Sequence, residues 1–204
     1  LGLKLIVQIP CLNEEETLPA TIADIPRQID GLERVEILII DDGSTDRTAE
    51  VARACGADHI VRFPQNRGLG HAFKAGFDNA LRLGADIIIN TDGDNQYFGG
   101  DIRELVKPIL EGRADLVIGD RRTGEIGHFS FLKRTLQNFG SRVISRLGGL
   151  EIPDVASGFR AYTRETALKI SMFTDFDHTA EHVVQAGQDG WGVVVVPIRT
   201  NPKA

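Results

Sequence analysis

The chain has 204 residues, a formal net charge of −6 at pH 7 and two cysteines; 42% of its residues are hydrophobic and 25% are charged. These are ordinary values for one globular domain with a substantial core. The negative charge argues against a general nucleic-acid-binding protein, and Cys11 and Cys55, which form no CxxC pair, indicate reduced thiols rather than a disulfide framework or a zinc site.

Apolar strands and amphipathic helices alternate along the first half of the chain. In order, we predict a strand over 3–9, a helix over 14–29, a strand over 35–40, a helix over 45–55, a strand over 59–62, a helix over 70–83 and a strand over 86–90. Strands this continuously apolar are buried on both faces, which is typical of parallel sheets. We therefore predict an α/β fold with a mainly parallel, Rossmann-like sheet and helices on both faces.

The second half continues this alternation less regularly. We predict a helix with apolar residues at 102, 105, 106, 109 and 110, a strand over 114–118, a loop over 121–130, a long helix over 132–147, a connection over 148–157, a strand over 158–162, a helix over 179–188 and a strand over 193–196. No linker or low-complexity tract separates the two halves. We therefore predict a single domain.

The strand predicted at 86–90 is followed by a polar run, Thr91-Asp92-Gly93-Asp94-Asn95-Gln96. Because α/β folds bind ligands at the carboxyl ends of their strands, Asp92 and Asp94 are expected at a binding edge. Two carboxylates and a nearby amide oxygen are hard donors that suit Mg²⁺ or Mn²⁺. A metal there would neutralise a diphosphate, which suggests nucleotide-sugar chemistry; a plain polar turn is the alternative.

Two earlier strands also end in polar residues, which are expected along the same edge. Residues 13–16 are placed to pack along a base and ribose, and Asp41 to accept a hydrogen bond from a base N–H. For the segment over 41–46, the alternative is helix capping, with Ser44 as N-cap and Asp46 in the first turn. Residues 66–72 offer a phosphate close backbone approach and a helix N-terminus, although a simple tight turn explains them equally well.

A basic segment stands out in this acidic chain. Between Arg121 and Arg146 there are six Lys/Arg residues and one acid, Glu125, so the local charge is six minus one, or +5. The segment suggests an anionic partner such as a phosphate or a lipid headgroup, and a solvated helix face is the alternative. No stretch approaches the ~18–20 apolar residues of a transmembrane helix, and the first residues do not resemble a signal peptide. Any membrane contact of these residues is therefore expected to be peripheral.

Together these motifs resemble the family 2 glycosyltransferases, which have the GT-A fold, and most closely their polyprenyl-phosphate branch, which is like dolichyl-phosphate mannose synthase. The residues that carry the resemblance stand in the family's order: Pro10…Asn13-Glu14, Asp41-Asp42-Gly43-Ser44-Thr45-Asp46, Asn66…Gly68…Gly70…Ala72, Asp92-Gly93-Asp94…Gln96 and Ser157-Gly158-Phe159-Arg160. The resemblance implies a catalytic domain over 1–204, with a nucleotide-binding half at about 1–95 and an acceptor half at about 96–204.

The resemblance also implies roles for individual residues. The metal would be held by Asp92, Asp94 and Gln96. The nucleotide would be bound by Pro10, Leu12, Glu14, Asp41, Asp42, Gly68 and Asp92. The catalytic residues would be Asp94, Asp154, Arg121 and Arg134. The two arginines would hold the acceptor phosphate.

The reaction implied is metal-dependent, inverting transfer of a hexosyl group from a GDP- or UDP-hexose to polyprenyl or dolichyl phosphate, in the cytoplasm at the face of a membrane. Because a phosphate acceptor is already anionic, it needs a general base less than a hydroxyl acceptor does. Asp154 would be that base or would orient the donor sugar, and a plain ion pair with Arg160 is the alternative.

Two features depart from the family pattern. Leu12 replaces an aromatic residue that is frequent there, and the chain stops at Ala204, where relatives usually continue with basic residues and membrane-associating helices. A sugar hydroxyl acceptor, in polysaccharide or glycoconjugate synthesis, and a non-catalytic nucleotide-sugar sensor stay open as alternatives. The oligomeric state is not indicated by any motif.

Overall fold

The computed structural model describes residues 2–121, 149–150, 152–170 and 178–202 of the chain. Its strands are β1 (Leu3–Cys11), β2 (Leu32–Asp41), β3 (His59–Arg62), β4 (Ile87–Asn90), β5 (Leu116–Asp120), β6 (Arg160–Thr163) and β7 (Val193–Pro197). Its helices are α1 (Leu18–Asp24), α2 (Thr48–Ala54), α3 (Leu69–Arg82), α4 (Ile102–Leu110), α5 (Arg164–Lys169) and α6 (His178–Asp189), and a 3₁₀ turn at Gly99–Asp101 leads into α4. The predicted helix over 132–147 and all of the 121–130 loop except Arg121 lie outside the described residues.

The strands form one mostly parallel sheet in the order β3-β2-β1-β4-β6-β5-β7. The antiparallel strand is β6, which lies between β4 and β5 and pairs Arg160 with Asn90. Since β4 ends where β6 begins, the chain leading into β6 arrives beside the residues that follow Asn90. The prediction of a single α/β domain with a mainly parallel sheet is confirmed.

Helices cover both faces of the sheet, as predicted. Successive side chains of a strand point to opposite faces, so each apolar strand contributes to two cores, one on each side of the sheet. On β1, Val7 and Ile9 belong to the core beneath α1, α2 and α4, whereas Ile6 belongs to the core beneath α3, α5 and α6. All three side chains are fully buried. A strand buried on both faces therefore carries the apolar run that the sequence shows.

Two helices are shorter than predicted. The helix expected over 14–29 ends at Asp24, because Ile25 precedes Pro26 and takes an extended conformation (φ −75°, ψ 120°). The helix expected over 45–55 begins at Thr48, whose backbone N–H donates to the Asp46 carboxylate at 2.9 Å. Arg47 is the N-cap residue of this helix and Asp46 precedes it, so the predicted alternative of Ser44 as N-cap is wrong.

Cys11 is buried, Cys55 is half-buried, and neither forms a disulfide. Burial, followed by the nearby charge of Glu14, raises the pKa of the Cys11 thiol well above its ordinary value. Across the part of the chain that the structure describes, every helix is too short or too polar to cross a bilayer.

Candidate active site

A pocket of about 310 Å³ opens where β1, β2 and β4 reach their carboxyl ends. Its lining includes seven residues that the sequence assigned to the site: Pro10, Leu12, Glu14, Asp42, Gly68, Asp92 and Asp94. Parallel strands bring these segments to one edge, although they are up to 84 positions apart in the sequence. The predicted convergence of the three strand ends is therefore present.

Hydrogen bonds from the α1 region hold the Asp92–Asp94 turn in place. The Thr21 hydroxyl donates to the Gly93 carbonyl at 3.1 Å, and the Thr17 hydroxyl lies 2.9 Å from the same oxygen. Asp94 stabilises its own turn, because its Oδ1 accepts the backbone N–H of Gln96 at 3.0 Å. These hydrogen bonds hold the backbone of the turn that carries the partly buried Asp92 and the exposed Asp94.

The pocket concentrates negative charge. Partial burial, with the charges of Asp94 and Glu14 close by, raises the pKa of Asp92 to about 6, while the positive charge of Arg121 opposes this rise. A bound cation would relieve the repulsion among the three carboxylates, and two carboxylates with the Gln96 amide oxygen suit Mg²⁺ or Mn²⁺. Among residues 2–121 and the described segments beyond them, no three His, Cys, Asp or Glu side chains form a complete metal cage. Asp92 and Asp94 lie together in the pocket, so this pair of carboxylates fits a divalent ion, and the ligand set stays a prediction.

Asp92 is expected to couple the stability of the ligand-free chain to pH. Its pKa is about 6 in the folded chain against an ordinary 3.8, so the folded state binds more protons between these values and the free energy of unfolding falls as the pH rises through them. The loss is at most about 3 kcal/mol. Thermal unfolding of the wild type and of Asp92→Asn between about pH 4 and 7 measures this. The variant should show a flatter pH dependence, and an unchanged slope would contradict the role of Asp92.

A buried chain of amides lies behind Asp92. Gln8 on β1 donates its side-chain N–H to Asn90 Oδ1 at 2.9 Å, and Asn90 in turn donates to the Gly158 carbonyl at 2.9 Å. The Gly158 N–H donates to the Tyr97 hydroxyl at 3.0 Å. A Cβ on Gly158 would lie 3.3 Å from Asp92 Oδ1, so the glycine allows the backbone to pass close to this carboxylate.

This amide chain explains why β6 starts at Arg160 rather than at the predicted 158, since the backbone groups of Gly158 bond to side chains and not to a neighbouring strand. No role is predicted from the sequence for Gln8, Asn90 or Tyr97. One signal was available for Gln8, because an amide in the middle of an apolar strand needs a buried partner.

Asp154 pairs with Arg121, not with Arg160, so the predicted alternative of an Asp154–Arg160 ion pair is wrong. The Arg121 guanidinium donates from Nε and Nη2 to the two Asp154 carboxylate oxygens, at 2.7 and 2.8 Å. This bidentate pair lies close enough to Asp92 for the two charges to influence each other. The structure therefore brings Arg121 and Asp154 together beside the acidic pocket, whereas Arg134 lies outside the described residues.

Arg160 is instead a structural residue with only 1% of its surface exposed. Its guanidinium donates to three backbone carbonyls, those of Ser157 and Thr179 at 2.8 Å and that of Val155 at 2.5 Å. It thus ties the loop that leads into β6 to the first turns of α6.

On the nucleotide side, Asp42 binds the loop that was expected to meet a phosphate. Its two carboxylate oxygens accept the backbone N–H groups of Arg67 at 2.8 Å and Gly68 at 2.9 Å. The loop packs closely on the end of β2, because a Cβ on Gly43 (φ +78°) would lie 2.3 Å from the Gln65 carbonyl carbon. These two N–H groups therefore bond to Asp42, and a tight turn describes the segment well.

Asp41 lies deeper than its neighbour and has no exposed surface. Its Oδ1 accepts the Ser44 N–H at 2.8 Å, and its Oδ2 lies 3.0 Å from Arg62 Nε. Both oxygens are thus engaged within the protein. A hydrogen bond from a base to Asp41 stays a prediction, while Asp42 is the residue of this pair that lines the pocket.

Comparison with known proteins gives concordant matches. The family model for glycosyl transferase family 2 matches residues 6–170. The polyprenol monophosphomannose synthase of Mycolicibacterium smegmatis is 31% identical over 204 residues, which cover 95% of this chain and 76% of that protein. The dolichyl-phosphate hexose transferase of Haloferax volcanii is 32% identical over 200 residues, which cover 98% of this chain and 84% of that protein.

A solved structure with a similar fold is the glucosyl-3-phosphoglycerate synthase from Mycobacterium tuberculosis in complex with Mn²⁺, UDP and glucosyl-3-phosphoglycerate. It has a TM-score of 0.74 and 23% sequence identity, and the match covers 100% of this chain and 72% of that chain.

Proposed function

The chain belongs to glycosyltransferase family 2 and is a glycosyltransferase of the GT-A fold; on this premise we propose that it transfers a hexosyl group, with inversion, from a GDP- or UDP-hexose to a polyprenyl or dolichyl phosphate. The observation that carries the proposal is the acidic pocket, in which Asp92 and Asp94 lie beside the strand ends expected to bind a nucleotide. Relatives named for polyprenol and dolichyl phosphate support the choice of acceptor.

The donor would occupy the pocket between the ends of β1 and β4. Pro10, Leu12 and Glu14 line its β1 side, and Leu12 is 41% exposed, so it offers apolar surface to a base although it is not aromatic. Asp92, Asp94 and Gln96 would hold Mg²⁺ or Mn²⁺, which supplies charge neutralisation for the departing nucleoside diphosphate. This assignment places the donor in the nucleotide-binding half, at about 1–95.

The acceptor phosphate would approach from the other half of the chain, where the charge of Arg121 acts on Asp92. Asp154 accepts two hydrogen bonds from the Arg121 guanidinium, from Nε and Nη2. These two bonds orient the guanidinium group and its remaining nitrogen, Nη1. We assign Asp154 to orienting Arg121 and the donor sugar, since a phosphate acceptor arrives already ionised and needs no strong base. The basic segment over 121–146 would meet the headgroup region at the cytoplasmic face of a membrane.

A two-step assay tests the proposal. Thermal unfolding with GDP, UDP and their hexose derivatives, each with and without Mn²⁺, should identify one nucleotide whose stabilising effect depends on the metal. Transfer of radiolabelled hexose from that donor is then measured to polyprenyl phosphate and to a sugar hydroxyl acceptor. Transfer to the hydroxyl acceptor alone would replace the proposed acceptor, and the absence of any metal-dependent nucleotide binding would contradict the donor site.

Arg134→Ala is expected to weaken acceptor use selectively. Loss of a charge-assisted hydrogen bond to phosphate costs roughly 1.5–3 kcal/mol, so transfer at subsaturating polyprenyl phosphate should fall by about 10- to 100-fold. Donor affinity, measured by nucleotide titration, should not change. The matched control is Lys133→Ala, a neighbouring basic residue to which the family resemblance gives no role. An equal loss in both variants, or a loss of donor affinity in Arg134→Ala, would contradict the assignment.

A further inference from the structure

The chain segment that follows β7 crosses over the loop that carries the proposed metal ligands. Its Arg199 carbonyl accepts the Phe98 N–H at 3.3 Å, and Thr200 forms an isolated antiparallel bridge with Tyr97. The Asn201 N–H donates to the Gln96 carbonyl at 2.8 Å. The segment is thus a short strap, residues 198–202, paired with the loop immediately after Asp94.

The Asn201 side chain contacts the same loop. Its Nδ2 lies 3.1 Å from both the backbone oxygen and the side-chain Oδ1 of Asn95, and 3.3 Å from Asp24 Oδ2 at the end of α1. Together with the backbone bond to Gln96, these contacts hold two consecutive residues of the loop from a position 106 residues away in the sequence. The Asn201 side chain is partly buried.

The residue that Asn201 holds has an unusual backbone conformation. Asn95 has φ +56°, in the left-handed region that most residues with a Cβ avoid. This conformation turns the chain between Asp94 and Gln96, two of the three residues proposed to bind the metal. The backbone at Asn95 therefore decides whether the Asp94 carboxylate and the Gln96 side chain can reach one ion.

The strap is anchored independently of Asn201. Ile198 is buried in the core beneath α4, and the Arg199 guanidinium pairs with Asp101, whose Oδ2 also accepts the Arg199 N–H at 2.6 Å. The Arg199 side chain is 69% exposed and its partner lies beyond the metal loop. Changing Arg199 therefore loosens the same strap without removing a contact to Asn95 or Gln96.

We propose that Asn201 is a positioning residue that holds the Asp94–Gln96 loop in its metal-binding conformation. It contacts no ligand itself and acts through Asn95 and the backbone of Gln96. The part of this proposal that concerns metal affinity rests on the proposed function, whereas the part that concerns the order of the loop does not.

Two measurements test it separately. Hydrogen–deuterium exchange of the metal-free protein follows the backbone amides of residues 95–98, and calorimetry follows Mn²⁺-dependent binding of UDP and of GDP. In Asn201→Ala we expect faster exchange in this loop and about 10-fold weaker Mn²⁺-dependent binding of the nucleotide that the wild type prefers. Asn201→Asp keeps the shape but replaces the donor group by a carboxylate facing Asp24, so it should be at least as impaired.

Substitutions at Arg199 and Asn95 provide the control and a second test site. Arg199→Ala should keep Mn²⁺-dependent affinity within about twofold of wild type, although the strap is less firmly anchored. Asn95→Ala should reproduce the Asn201→Ala defect, and Asn95→Gly should be milder because glycine adopts positive φ freely.

Unchanged exchange in Asn201→Ala, or an equal affinity loss in Arg199→Ala, would overturn the proposal. If the wild type binds neither nucleotide with Mn²⁺, the proposed function fails, and the exchange measurement still decides whether Asn201 orders the loop.

Discussion

Asp94→Asn is expected to abolish metal-dependent donor binding while the fold stays intact. The substitution removes one of the charges that would hold the ion, yet asparagine keeps an oxygen that accepts the Gln96 N–H and so preserves the turn. Less negative charge beside Asp92 should leave the free energy of unfolding unchanged or slightly higher, because Asp94 contributes to the raised pKa of Asp92. We expect the Mn²⁺-dependent shift in melting temperature to vanish and transfer to fall by at least ~100-fold.

A carboxylate at the opposite end of the same strand provides the control for Asp94→Asn. Asp86 immediately precedes β4, and its Oδ2 accepts the Lys4 N–H at 2.8 Å, a bond that asparagine can also accept. Asp86→Asn removes the same charge from the chain and should keep both the Mn²⁺ response and the activity. A folded Asp94→Asn protein with normal Mn²⁺-dependent nucleotide binding would show that Asp94 is not a metal ligand.

Arg160→Met is expected to cause the largest loss of stability among single substitutions at the described site. Arg160 is buried, and its guanidinium satisfies three backbone carbonyls that methionine would leave without a donor. Each buried carbonyl left without a donor typically costs about 1–3 kcal/mol, so we expect a total loss of about 3–5 kcal/mol, which urea denaturation of the purified protein measures directly. Arg160→Lys should recover only part of this loss, because the compact ammonium group cannot reach the three carbonyls as the planar guanidinium does.

Arg164→Met is the matched control for Arg160→Met. Arg164 is exposed, and its Nη1 also donates to backbone carbonyls, at 2.8 Å to Ala85 and 3.3 Å to Leu81. Because the Arg164 side chain is exposed, we expect water to reach the two carbonyls when it is removed, and a loss below about 1 kcal/mol. If the urea midpoints of the two variants moved equally, burial would not be the reason for the importance of Arg160.

Much of the fold follows from local sequence pattern. The strand at His59–Arg62 has its predicted bounds, α6 is longer than predicted by one residue at each end, and β7 is longer by one residue at its C-terminal end. The side chains of each central strand point alternately into the two cores on either side of the sheet, so the sequence of such a strand is continuously apolar. The errors at α1 and α2 are errors of length. Pro26 limits the end of α1, and α2 begins only after its N-cap residue Arg47; the spacing of apolar residues indicates neither boundary.

The sequence by itself determined the class of fold, the family and the carboxylates at the end of β4, because each of these is encoded in neighbouring residues. Only the tertiary structure decided that β6 runs antiparallel beside β4, that Arg121 binds Asp154 across 33 residues, and that Asn201 holds the loop at Asn95 across 106. Hydrophobic period reports which side of an element is buried. The hydrophobic pattern does not indicate which other helix or strand packs against the buried side, or whether a neighbouring strand runs parallel or antiparallel. Contacts between residues distant in the chain are therefore determined only when the whole sheet is assembled.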